Sequence, residues 1–169
     1  VAVGSTCTSA GLLLGFALAA RRGLGFREAP ELVSVRVTPW PVTSHARIVS
    51  LAEDTAALMA EHGALATDAR GRVVAPTHAE LAANLHVDGR YLGLGYGRVT
   101  NGGLDAMARF NVAGGPPLDT GYSGKSGAAF LDLARSGAPG PLLFWATKSS
   151  APLPLAFAKG PMGHGRGVD

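Results

Sequence analysis

Two tyrosines stand on glycine-flanked turns, where a phenol could take part in proton transfer. Tyr96 lies between two glycines in the string GLGYG, and Tyr122 follows a glycine in the string LDTGYSGK. Glycine turns place a side chain at a loop tip over a cleft, and a well-placed phenol can act as a general acid or base. Either tyrosine taken alone is more often a packing residue, half-buried with its hydroxyl in water.

A run of small residues opens the chain. Gly4, Ser5, Thr6, Cys7 and Thr8 lie between a short apolar strand and a helix. Backbone N–H groups at a helix N-terminus bind anions with the help of the helix dipole, and serine and threonine hydroxyls add hydrogen bonds. The run therefore predicts a phosphate-binding turn, and a merely tight connection is the alternative. We interpret Cys7 as a small packed thiol rather than a nucleophile.

These three motifs, in their order along the chain, resemble the C-terminal two-thirds of a pyridoxal-phosphate enzyme of the tryptophan-synthase β type. The nearest match is the 1-aminocyclopropane-1-carboxylate deaminase / D-cysteine desulfhydrase family. The resemblance covers residues 1–147 and is most specific over 4–11, 90–97 and 118–125. It implies the fold-type-II architecture and pyridoxal 5'-phosphate as cofactor. The two tyrosines, at the family's order and spacing, then favour an active-site role over packing.

The chain departs from the family pattern at two points. Thr6 and Cys7 stand where family members commonly carry the two central glycines of the phosphate turn. The family's Thr-Gly-Gly is replaced by Thr147, Lys148 and Ser149, which puts a bulky charge where glycines usually stand.

The resemblance implies a role for each motif. The phenols of Tyr96 and Tyr122 face the substrate side of the cofactor, where one of them assists proton transfer or polarises the leaving group. Ser123 lies near the cofactor ring nitrogen, and Thr147 near the same ring edge. The contacts to the phosphate come from the turn formed by Gly4, Ser5, Thr6, Cys7 and Thr8.

The residue after the second tyrosine bears on the substrate. Family deaminases tend to have a carboxylate there and desulfhydrases a hydroxyl, so Ser123 indicates the desulfhydrase side. Lys125 belongs to the matched motif, but the family's Schiff-base lysine lies upstream of any segment present here. Because that lysine both holds the cofactor and shuttles the proton, the chain alone lacks what the chemistry needs.

The resemblance implies the C-terminal portion of a lyase or deaminase that releases ammonia and a 2-oxo acid from a small amino acid. The full-length protein is expected to be a homodimer. The alternative is a non-catalytic module, or truncated pseudoenzyme, that retains the fold and a phosphate-binding loop. An amino-acid dehydratase of the same fold type is a third possibility. The start at Val1, inside an apparent strand, predicts a fragment or a misplaced start.

Composition sets the broad class. The chain has 169 residues, 47% hydrophobic and 16% charged, against about 25% charged in ordinary domains. The net charge of +3 is scattered, without basic runs interleaved with aromatic residues, and this disfavours nucleic-acid partners. One cysteine excludes an internal disulfide and fits a reducing cytoplasm. The apolar run GLLLGFALAA is too short to cross a membrane and predicts a buried helix.

Strand and helix patterns alternate along the chain, which predicts an α/β class with an open, mainly parallel sheet and helices on both faces. The predicted strands cover residues 1–3, 32–37, 85–87 and 142–146. The predicted helices cover residues 8–22, 43–61, 77–83, 101–112 and 124–136, the first capped by Thr6 or Thr8. Residues 1–159 form the predicted large-domain portion and 160–169 a flexible tail.

Overall fold

The computed structural model describes residues 1–67 and 70–147 and is built around a three-stranded parallel sheet in the order β1-β2-β3. The strands are β1 (Ala2–Val3), β2 (Leu32–Arg36) and β3 (Leu85–Asp88). The register places Val3 opposite Arg36 and Val35 opposite Asp88. The carboxyl ends of the strands therefore meet at one edge, where open α/β sheets bind ligands.

Five helices connect or follow these strands in the described residues. They are α1 (Cys7–Arg21), α2 (His45–Glu61), α3 (His78–Ala83), α4 (Asn101–Val112) and α5 (Ser123–Arg135). Helices α2, α3 and α4 each begin after a hydroxyl residue in extended conformation, namely Ser44, Thr77 and Thr100. In each case the side chain accepts a hydrogen bond from a backbone N–H of the first turn, as an N-cap should.

The helices cover both faces of the sheet. On one face, the buried Ser34 of β2 donates a hydrogen bond of 2.9 Å to Ser9 of α1, and α2 packs against α1. On the other face, Val33 and Val35 line a largely apolar cavity of about 630 Å³ together with Ala129 of α5. The alternation of side chains along a strand explains this division. The predicted α/β class, with a parallel sheet and helices on both faces, is confirmed.

The predicted strand over residues 142–146 is wrong, because this segment makes no strand pairing. Its aromatic side chains contact helices instead. Phe144 packs edge-on against Phe110 and Phe130, and Trp145 packs against Phe16. A short apolar run predicts burial of some kind, but its periodicity cannot distinguish a strand from a loop anchored by its rings.

Part of the predicted large domain, over 148–159, and the predicted tail, over 160–169, lie outside the described residues. Of the helices in the described part, none has both the length and the apolar character that a membrane span requires.

Candidate active site

The two glycine-flanked tyrosines meet. The phenol oxygens of Tyr96 and Tyr122 lie 2.9 Å apart, within hydrogen-bond distance. Their rings are perpendicular, with centroids 5.9 Å apart, the edge-to-face arrangement that aromatic pairs prefer. Tyr96 is 57% exposed and Tyr122 37% exposed, so the pair faces open solvent rather than the core. A phenol pair at a surface can hold and pass a proton.

The turn after β1 lies directly beside the pair. A Cβ added at Gly4 would stand 2.6 Å from Cε1 of Tyr122, so only glycine permits this approach. The carbonyl oxygen of Gly4 accepts hydrogen bonds from the hydroxyls of Thr38 (3.1 Å) and Thr43 (2.9 Å), which follow β2. The structure therefore brings the opening turn and both phenols to the carboxyl edge of the sheet.

The N-terminus of α1 keeps its first N–H groups available. Thr6 occupies the N-cap position, but its backbone is helical and its side chain makes no capping hydrogen bond. The prediction that Thr6 or Thr8 caps this helix is therefore wrong, since Thr8 lies inside the helix and a capping side chain needs an extended backbone. The first turn carries no acidic residue. Uncapped N–H groups at the positive end of a helix fit a phosphate.

The hydroxyl and thiol groups of this turn face solvent. Ser5, Cys7 and Thr8 are exposed and Thr6 is partly exposed. The interpretation of Cys7 as a packed thiol is wrong, because the first residue of α1 points away from the core that Ser9 and the next residues reach. The roles of these residues toward a phosphate stay predictions.

Tyr122 is held in place by Asp119, a residue that sequence reasoning missed. One carboxylate oxygen of Asp119 accepts hydrogen bonds from the backbone N–H groups of Gly121 (2.9 Å) and Tyr122 (2.7 Å). The other accepts from the Ser123 hydroxyl at 2.6 Å. The available signal was an aspartate two residues before a glycine, the spacing at which an aspartate side chain binds a backbone N–H in a turn.

These contacts shift two pKa values. Burial alone would raise the pKa of Asp119, but hydrogen bonds from the Ser123 hydroxyl and from backbone N–H groups outweigh it and hold that pKa below its usual value. The hydrogen bond to Tyr96, together with burial and the nearby charges, raises the pKa of Tyr122 to about 12. Tyr122 is therefore a proton donor, and not a phenolate, at neutral pH.

Ser123 is buried, and its hydroxyl has two partners. It donates to Asp119 at 2.6 Å and accepts from the backbone N–H of Asp119 at 2.7 Å. A hydroxyl has one proton and two lone pairs, so what remains to Ser123 is the capacity to accept one more hydrogen bond. Thr147 is exposed and has no hydrogen-bond partner among the described residues. The predicted ring-side roles of both residues stay predictions.

Lys125 is completely buried. Its Nζ donates hydrogen bonds to the backbone carbonyls of Leu92 (2.7 Å) and Gly95 (3.1 Å) in the loop that carries Tyr96. An amine enclosed in this way cannot reach a carbonyl compound in the cleft without leaving both partners. The geometry thus agrees with the interpretation that Lys125 is not the Schiff-base lysine.

Comparison of this chain with known proteins shows a fold that it shares with a solved structure. No protein-family model and no curated protein matches this chain. Among solved structures, a crystal structure of an ACC deaminase homologue is similar, with a TM-score of 0.57 and 24% sequence identity over 83% of this chain. The match spans 35% of that homologue's chain, so this chain covers about a third of the length of its structural neighbour, and not the two-thirds that the motifs predicted. At this identity, the similarity shows a shared fold.

Proposed function

We propose that this chain is the portion of a pyridoxal-phosphate-dependent lyase or deaminase that carries the phosphate turn and the proton-transferring phenols. The observation that carries the proposal is the phenol pair of Tyr96 and Tyr122 directly against Gly4 of the opening turn. The fold shared with an ACC deaminase homologue supports it. The substrate class is a small amino acid, which would lose ammonia and leave a 2-oxo acid.

The cofactor proposed for this site is pyridoxal 5'-phosphate. The uncapped first turn of α1 and the hydroxyls of Ser5, Thr6 and Thr8 fit a phosphate group, and Gly4 lets the Tyr122 ring lie directly beside this turn. When bound, such a cofactor supplies an electron sink for bonds broken next to the amino group of the substrate. As the resemblance implies, our proposal places the lysine that fixes it upstream of Val1. Lys125, the one lysine of the described residues, is committed to loop carbonyls.

The residues of this chain would donate and replace a proton during the reaction. Tyr122 stays protonated at neutral pH because its pKa lies near 12, so it can donate a hydrogen bond or a proton to a leaving group. Tyr96 can replace that proton across the 2.9 Å contact. Asp119 fixes the backbone that carries Tyr122 and so keeps the donor aimed.

Within this class we favour elimination from a thiol amino acid such as D-cysteine over opening of a cyclopropane ring. The reason is the neutral hydroxyl of Ser123 in place of a carboxylate. In this structure the hydroxyl proton is donated to Asp119, so Ser123 would have to turn from that carboxylate to donate to an unprotonated ring nitrogen. The Ser123→Glu variant should shift preference toward the cyclopropane substrate.

The test compares two proteins with the same cofactor. The chain of 169 residues should bind pyridoxal phosphate weakly and release no pyruvate from D-cysteine. A protein that adds the coding sequence read upstream of Val1 should bind the cofactor covalently, as borohydride reduction shows, and release pyruvate and sulfide. In that longer protein, Tyr122→Phe should reduce turnover about a hundredfold or more. The proposal fails if the longer protein binds no cofactor. A borohydride-stable adduct on Lys125 would overturn the upstream placement of the lysine.

A non-catalytic module is the second candidate, and one observation favours it. The described residues hold no lysine free to bind a carbonyl, whereas the uncapped first turn of α1 would need no lysine to accept a phosphate. In that case the longer protein should still bind inorganic phosphate or pyridoxal phosphate non-covalently, without turnover. Covalent cofactor binding with pyruvate release would exclude this alternative.

A further inference from the structure

A buried lysine links the helix that follows Tyr122 to the loop that carries Tyr96. Lys125 lies in the first turn of α5, three residues after Tyr122, and has no exposed surface. Its ammonium group bridges two carbonyls, one at each end of the segment 92–95, which leads directly into Tyr96. None of the acidic side chains in the described part of the chain forms an ion pair with it.

A lysine in this position is a poor choice for stability. Burial lowers the pKa of Lys125, since a buried ammonium loses its hydration without a carboxylate to compensate. A cation at a helix N-terminus also opposes the helix dipole. An apolar side chain of similar length would fill the same space without these costs. What the lysine alone provides is a pair of charge-assisted hydrogen bonds at fixed positions.

The segment 92–95, which Lys125 holds, has little else to fix its conformation. Gly93 and Gly95 have φ angles of +64° and +134°, which glycine adopts freely and other residues rarely do. Leu94 between them is 95% exposed and contributes almost no packing. A segment with two such glycines around an exposed leucine would place the next residue, Tyr96, loosely. The ammonium group of Lys125 supplies two hydrogen bonds that attach the segment to α5.

We infer that Lys125 is a positioning residue that holds the 92–95 segment so that the Tyr96 phenol meets the Tyr122 phenol. The turn before α5 and the first turn of α5 then set the two tyrosines, through Asp119 on the Tyr122 side and through Lys125 on the Tyr96 side. The catalytic meaning of this arrangement rests on the proposed function. The arrangement itself can be tested without cofactor or substrate.

Hydrogen exchange tests the anchor in the 169-residue chain. The reporters are the amides of Leu92 and Arg98, which bond to the carbonyls of Gly89 and Gly95 and so close the two ends of the segment. In Lys125→Met they should exchange about tenfold faster or more, because the loop opens without global unfolding. The control Ser126→Ala removes a hydrogen bond to Ser123 from the same buried turn and should leave both amides unchanged.

A spectroscopic reading accompanies the exchange. If the phenols separate in Lys125→Met, the pKa of Tyr122 should fall from about 12 toward its ordinary value of 10.0, which phenolate absorbance measures. A merely structural lysine would lower stability and leave this pKa in place. Unchanged loop exchange, or an unchanged phenol titration in a folded Lys125→Met variant, overturns the assignment.

The wild-type protein gives a second test if the variant does not fold. Amine-directed acylation followed by mass spectrometry should modify Lys125 only as fast as the Leu92 and Arg98 amides open. Rapid modification while these amides remain protected would overturn the inference. Failure of the proposed function is distinguishable, since a protein that binds no pyridoxal phosphate can still show the coupled exchange and titration.

Discussion

The α1–α2 side of the sheet and the α4–α5 side are held together by different forces. On the first side, apolar residues with little or no exposure fill a continuous core, including Leu13, Ile48, Val49, Ala52 and Leu81. On the second side, the buried apolar cluster is small, consisting of Ala106, Leu118 and Ala128, and polar side chains hold the two tyrosine loops. The site sits on the second side, so its geometry depends on a few hydrogen bonds that the core does not guarantee.

The largest expected effect lies on the core side. Ile48 is fully buried in α2, and Ile48→Ala should reduce the free energy of unfolding by about 2–5 kcal/mol, because it leaves a cavity. Chemical denaturation measures this loss, and Ile48→Val should cost about 0.5–1.5 kcal/mol. In the folded fraction, the titration of Tyr122 should stay unchanged. A shift of that titration in Ile48→Ala would show that the two sides are not independent.

The next effect lies where α5 meets the Asp119 turn. A Cβ at Gly124 would stand 2.7 Å from the backbone oxygen of Asp119, so Gly124→Ala must displace backbone and should cost about 1–3 kcal/mol. The matched control is Gly15→Ala in α1, where an added Cβ would meet nothing within 4 Å beyond its own helix backbone, and this change should stabilise the protein by about 0.5–1 kcal/mol. Thermal unfolding of both variants decides whether close approach, rather than glycine itself, matters at α5.

A smaller effect is expected for the carboxylate that holds Tyr122. Asp119→Asn should cost about 1 kcal/mol at neutral pH, since an amide replaces a charged acceptor of several hydrogen bonds. The folded-state pKa of Asp119 lies below its usual value of 3.8. Its contribution to stability is therefore present above about pH 4 and is lost as the pH falls through the folded-state pKa. Denaturation midpoints of wild type and Asp119→Asn should converge in that acidic range, and a constant difference down to pH 2 would contradict the assignment.

The sequence predicted the core side well because its signals are local. The β-branched run between two prolines identified β2, and apolar spacing identified α2, whose start differs by two residues from the prediction. The segment 142–146 failed because its apolar residues are explained equally by ring packing on helices. Local pattern does not record which distant element an apolar run will contact.

The site was predicted in part. The meeting of Tyr96 and Tyr122 was expected from motif order, but the two residues that arrange it were not. Asp119 accepts hydrogen bonds from backbone N–H groups, and Lys125 donates hydrogen bonds to carbonyls that are 33 and 30 residues away in sequence. The aspartate in a glycine-containing turn was a signal that could have been used. Nothing in the sequence distinguishes Lys125, whose partners are distant backbone carbonyls, from a surface lysine.

The smallest change should isolate the phenol contact. Tyr96→Phe removes one oxygen from a ring that is already 57% exposed, so stability should change by less than about 0.5 kcal/mol. The pKa of Tyr122 should nevertheless fall from about 12 toward 10.0, because the hydrogen bond to Tyr96 is the largest cause of its elevation. Tyr91 supplies an internal reference, since burial and its bond to Asp132 raise its pKa to about 12 independently of the pair. Phenolate absorbance should thus show a lower pKa for Tyr122 and an unchanged pKa for Tyr91. If neither pKa changes, the two phenols are not hydrogen-bonded in solution, and the α4–α5 side does not form the site described above.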